Sequence, residues 1–174
     1  PHVEAIRARG LRLAGLTREL IPCGGRLLAL ESLDEMSPRL GAGDCVLLTM
    51  KAGQTEEAGR ALAAAAERAA VPVVAFQNGT GYEEGLRSAL GRRCVLYLAV
   101  SHLGATLEAP GRVSDWGGEV LLPIAPAIKP LAAALRAAAV EVRMVRRLEV
   151  ARWEKIAFNC ALNPCLLYTS DAAD

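Results

Sequence analysis

Asp44-Cys45-Val46-Leu47-Leu48-Thr49-Met50-Lys51 is a continuous apolar run closed by a cation, and its lack of alternation decides the fold. A strand with one wet face alternates apolar and polar residues. A strand covered on both faces reads as an unbroken hydrophobic run, the mark of a parallel sheet between helical layers. Pro72–Gln77 (Pro-Val-Val-Ala-Phe-Gln) and Cys94–Val100 (Cys-Val-Leu-Tyr-Leu-Ala-Val) repeat the pattern. Between the runs, Gln54–Ala70 and Tyr82–Leu90 have the composition of helices. Strand and helix in alternation predict an α/β architecture built on a parallel sheet.

Working outward, Pro1–Arg9 reads as the end of a helix closed by Gly10, and Leu11–Leu30 as short extended pieces broken by Gly15, Pro22 and Gly24-Gly25. Between Thr106 and Leu122 the pattern changes. Pro110-Gly111 and Gly117-Gly118 punctuate short strands, which predicts an antiparallel meander. Leu131–Ala139 returns to helix and Glu141–Val145 to strand, and a last helix begins near Leu148, with a domain boundary at Arg146–Val150.

Composition narrows the function. A net charge of +1 with scattered arginines argues against a nucleic-acid partner, which calls for a basic stripe. No apolar run approaches the ~18 residues that suggest a membrane span, since Val120–Ile128 is interrupted by Pro123 and Pro126. Five cysteines without a CxxC pair, and two histidines, His2 and His102, leave little with which to bind a metal, so no metal site is expected. Reduced cysteines in apolar runs, as at Cys45 and Cys94, suit a cytoplasmic protein.

Polar residues follow two of the strand runs: Lys51 and Gln54 after the first, Gln77-Asn78-Gly79 after the second. In open α/β sheets ligands collect beyond such carboxyl ends. A third cluster lies in Trp153-Glu154-Lys155-Ile156-Ala157-Phe158-Asn159-Cys160-Ala161-Leu162-Asn163. At about 100° per residue, Lys155, Asn159 and Asn163 share one narrow stripe. Two readings stand: a stripe facing water, or a buried stripe gripping a polar substrate. Ala157, Cys160 and Ala161 leave little solvated surface for the first, and burying each amide or amine unpaired costs about 1–3 kcal/mol. The chain also has only three lysines against seventeen arginines. Lysine can surrender a proton where arginine cannot, which hints at proton transfer by Lys51 or Lys155. Gly79-Thr80-Gly81-Tyr82-Glu83-Glu84-Gly85 has the wrong spacing for a dinucleotide fingerprint and reads as a turn and helix start.

Lys51-Ala52-Gly53-Gln54-Thr55, Gln77-Asn78-Gly79 and the W-x-K-x-x-x-N-x-x-x-N-P stretch Trp153–Pro164 occur in the order and rough spacing of the ketopantoate reductases. The opening residues His2–Leu13 and the segment Gly104-Ala105-Thr106 with Pro110-Gly111 are also similar to that family. The resemblance covers Pro1–Pro164 and implies a Rossmann-like dinucleotide-binding domain, truncated before its first strand and GxGxxG turn, over residues 1–147. Residues 148–164 would begin an all-α substrate domain, and residues 165–174 do not continue the family's pattern and read as a non-native tail.

By resemblance, NADPH reduces 2-dehydropantoate (ketopantoate), a small keto acid, on the path to pantothenate and coenzyme A. Lys155 matches the general acid that protonates the ketone oxygen. Asn159, Asn163 and Asn78 match substrate-binding positions, and Lys51, Asn78 and Gly104 match cofactor-side positions. A homodimer through the missing helical domain is a candidate assembly, and a chain lacking both ends is expected to be inactive alone. Two other readings remain: a paralogous reductase or dehydrogenase of another 2-keto or 3-hydroxy acid, and a non-catalytic nucleotide-binding regulatory protein.

Overall fold

A computed structural model of the chain describes residues 1–65, 71–92 and 94–169, with side chains of the last helix described through Leu162. Helix α1 (His2–Arg9) ends at Gly10, whose φ of 77° turns the chain while its N–H bonds Ile6 O at 2.8 Å. Strands β1 (Leu11–Gly15) and β2 (Glu19–Ile21), the short helix α2 (Leu33–Met36) and β3 (Val46–Leu48) follow. Helix α3 (Thr55–Ala65), β4 (Pro72–Ala75), α4 (Glu83–Leu90) and β5 (Val95–Leu98) then alternate as expected. Residues 66–70 of the predicted helix lie outside the described residues. Glu83 and Glu84 stand in the first turn of α4, where the helix dipole favours anions.

The three apolar runs form one parallel ladder in the order β3-β4-β5, with Val46–Leu48 opposite Val73–Ala75 and Pro72–Ala75 opposite Val95–Leu98. The side chains of β4 show why the runs do not alternate. Val73 and Ala75 enter a core with Leu62 of α3 and with Leu86 and Leu90 of α4. Val74 enters a second core on the opposite face with Val120, Ile128 and Ala132. Both faces are covered, so both want hydrophobic residues.

The chain 95–101 continues beyond this ladder. After Ala99, whose N–H bonds Ala75 O at 2.9 Å, β6 (Val100–Ser101) turns to a new neighbour. The remaining elements are β7 (Gly104–Ala109), β8 (Arg112–Gly117), β9 (Glu119–Pro123), α5 (Lys129–Ala137), β10 (Glu141–Val145) and α6 (Leu148–Thr169). Strand β9 pairs antiparallel with β6 and parallel with β10, while α5 supplies Ala132 to the second core.

The predicted meander is a single hairpin. Strands β7 and β8 pair antiparallel about Pro110-Gly111, but β8 then pairs in parallel with β1, and β9 departs for the other ladder. Burial explains the departure: Val120, Leu121 and Leu122 are at most 2% exposed, whereas β7 is exposed along its length. An apolar run as dense as β9 needs cover on both faces, which the hairpin lacks. Gly118 makes the exit possible. Its φ is 123°, and a Cβ there would fall 2.3 Å from His102 O.

Only Arg146 and Arg147 separate β10 from α6. Leu148 and Ala151 anchor the start of α6 against Val100, Leu121 and Val145. Residues 165–169 continue α6, and 170–174 lie outside the described residues. Among the described residues no helix is long and apolar enough to cross a membrane.

Candidate active site

A surface helix usually hides its apolar face and shows its polar one. Helix α6 does the reverse. Trp153 and Phe158 are each 63% exposed and Leu162 is 41% exposed, while Arg152, Lys155, Ile156 and Asn159 are partly buried. The inversion follows from the anchor. Leu148 is buried against the sheet, and 151, 152, 155 and 159 recur at helical spacing on the same side. Packing Leu148 inward therefore carries Lys155 and Asn159 inward with it.

Lys155 Nζ donates to the backbone carbonyl of Ser101 on β6. Burial pushes the Lys155 pKa below its ordinary value, because the ammonium has lost water around it. A narrow cleft is lined by Gln77, Asn78 and Gly79 beyond β4, by Ser101, and by Arg152, Lys155 and Asn159 of α6. A cavity of about 550 Å³, bordered by His102, Arg143 and Phe158, also reaches Lys155 and Asn159. Another of about 330 Å³ reaches Thr49, Asn78, Ser101 and Lys155. Lys155 thus stands where three openings meet, with Asn78 and Asn159 each on two of them.

The loop that presents Asn78 is fixed from beneath. Gln77 Nε2 donates to Met50 O at 3.2 Å, tying the end of β4 to the end of β3, and the hydroxyl of buried Tyr82 donates to Gln77 O at 3.4 Å. Gln77 Oε1 is buried without a partner among the described residues. Arg152 donates to Gly79 O at 3.0 Å and forms an ion pair with Glu83.

The structure therefore brings together Asn78, Lys155 and Asn159. Asn163 lies two turns further along α6, and its side chain is outside the described residues. Lys51 is exposed at the start of the 3-10 turn Ala52–Gln54 and lines none of these openings. Gly104 lies at the start of β7 opposite Gly117, three residues past Ser101, and also lines none of them. Reading the sequence did not single out Ser101, whose carbonyl acts, or Glu83. Arg152 could have been found, since it precedes Lys155 by three residues on the same stripe. Among the described residues no three His, Cys, Asp or Glu side chains are grouped to hold a metal ion.

A parallel ladder with helices on both faces, opening at its carboxyl ends onto a polar cleft, defines a Rossmann-like α/β protein. The chain belongs to the ketopantoate reductase PanE/ApbA family, whose sequence model matches residues 1–122. It is 29% identical over 171 residues to the 2-dehydropantoate 2-reductase of Pyrococcus horikoshii, a match over 94% of this chain and 52% of that protein. Among solved structures, it resembles a PanE/ApbA family ketopantoate reductase from Ralstonia eutropha with a TM-score of 0.74 and 31% identity. That match covers 92% of this chain and 51% of the other. The 2-dehydropantoate 2-reductase from Geobacter metallireducens gives a TM-score of 0.77 at 26% identity, over 95% of this chain and 54% of the other. The chain spans about half the length of these relatives.

Proposed function

We propose that this chain carries the catalytic lysine and much of the nucleotide-facing sheet of an NADPH-dependent 2-dehydropantoate 2-reductase. The observation that carries the reading is the inward turn of α6. It sets a half-buried lysine beside Asn159 and across a narrow cleft from Asn78. A nicotinamide fits the residues at the strand ends, where Asn78 can both donate and accept and Gln77 Oε1 is a buried acceptor without a partner among the described residues. Asn78, Lys51 and the Gly104 backbone are the cofactor-side residues in this reading. The bound cofactor supplies the hydride.

The chain's own residues supply position and the proton. Negative charge develops on the ketone oxygen during reduction, and the Lys155 ammonium both stabilises it and delivers the proton. Ser101 O accepts from Lys155 Nζ and so restrains the amine within the cleft. The amides of Asn159 and Asn163 are suited to a keto acid's carboxylate and hydroxyl, with Asn78 meeting the substrate from the sheet side. The test is an assay of the protein at full family length against 2-dehydropantoate and a panel of other 2-keto acids, with NADPH and with NADH. Highest kcat/KM for 2-dehydropantoate with NADPH is expected. Preference for another keto acid would reassign the substrate, and reduction of none would overturn the proposal.

A further inference from the structure

Most ion pairs among the described residues lie in water, where they contribute little. The Arg152–Glu83 pair is different. Its side chains are 14% and 20% exposed, the most shielded pair among the described residues, and it joins α6 to the start of α4 across 69 positions of sequence. Arg152 lies one turn before Lys155 on the same face, and its Nη2 also donates to Gly79 O at 3.0 Å. The second oxygen of Glu83 accepts from the N–H of Gly81 at 2.7 Å. The pair thus grips both ends of Gly79-Thr80-Gly81. This segment has two glycines at positive φ (84° and 94°), no buried residue and the Asn78 amide just before it.

We propose that Arg152 and Glu83 act as a positioning clasp, holding the Asn78–Gly81 loop against α6 so that Asn78 and Lys155 face one substrate across one cleft. Neither residue is a proton donor here. Glycines leave the loop free to swing, and the clasp removes that freedom from the side on which the reacting groups must meet. Glu83 is suited to the task because it stays ionised. Burial works to raise its pKa, but the hydrogen bonds from Arg152 and from its own and Gly81's backbone outweigh it, leaving a net lowering.

This inference rests on the reductase reading, and its test separates the two. In the protein at full family length, Arg152→Gln and Glu83→Gln are compared with the conservative Arg152→Lys. Two readouts are taken: kcat and KM for the keto acid, and amide hydrogen exchange over residues 77–84. A displaced reacting group costs up to about a hundredfold in rate. Arg152→Gln is therefore expected to lower kcat at least about tenfold. Exchange at the Gly81 amide is expected to accelerate by about tenfold while strand β4 stays protected. Arg152→Lys, keeping the charge but not the fork, should recover part of both. Either readout unmoved in Arg152→Gln, or exchange accelerated equally in β4, overturns the clasp. If the unaltered protein reduces no keto acid, the reductase reading falls and exchange alone decides: faster loop exchange supports the clasp, and unchanged exchange overturns it.

Discussion

In the proposed reduction Lys155 is the proton donor, and its burial then dictates a pH dependence. Reduction needs the ammonium form, and burial lowers the pKa below the ordinary lysine range. The kcat/KM for keto-acid reduction should therefore be flat at low pH and fall as pH rises through that lowered pKa. Lys155→Arg keeps the charge but cannot release a proton near neutrality. It should lower turnover by orders of magnitude and erase the alkaline limb, as a pH–rate series would show. At this scale much was legible in the sequence. Lys155 and Asn159 share a stripe because helix geometry fixes their spacing, and one buried anchor, Leu148, then turns both inward. Arg152 lies on that same stripe, but its value depends on Glu83, a partner 69 residues away that no local pattern reveals.

Strand β4 and helix α4 show how far composition reaches at the scale of elements. The unbroken apolar run predicted cover on both faces, and Val74 and its neighbours Val73 and Ala75 do divide between two cores. Leu86 of α4 is fully buried in the first core, so Leu86→Ala should cost about 2–5 kcal/mol in urea unfolding. Leu107→Ala, on the exposed hairpin, should stay within about 0.5 kcal/mol. The meander was misread because turn residues mark where a chain bends but not which strand it joins next. Burial of Val120, Leu121 and Leu122 settled that. Helix α6 carries another consequence: with Trp153, Phe158 and Leu162 exposed, the 174-residue chain should self-associate as concentration rises. Replacing Trp153 and Phe158 by serine should reduce this in light scattering.

At the scale of the molecule, alternating runs and helices were enough to predict the parallel sheet and the placing of polar residues at its carboxyl ends. They could not show that β5 continues into a second ladder, or that Lys51 and Gly104 stand outside the cleft lined by Asn78, Lys155 and Asn159. A site bordered by an exposed apolar helix face is open to water, and desolvation is part of what such a site needs. The 174 residues alone should therefore show no keto-acid reduction above background, whereas the protein at full family length should be active. The most direct measurement is kcat for 2-dehydropantoate reduction by that protein with Lys155→Ala. A fall of about a hundredfold or more, with cofactor affinity retained, is the predicted result. Turnover within a few-fold of the unaltered protein would contradict the assignment of the inward lysine as proton donor.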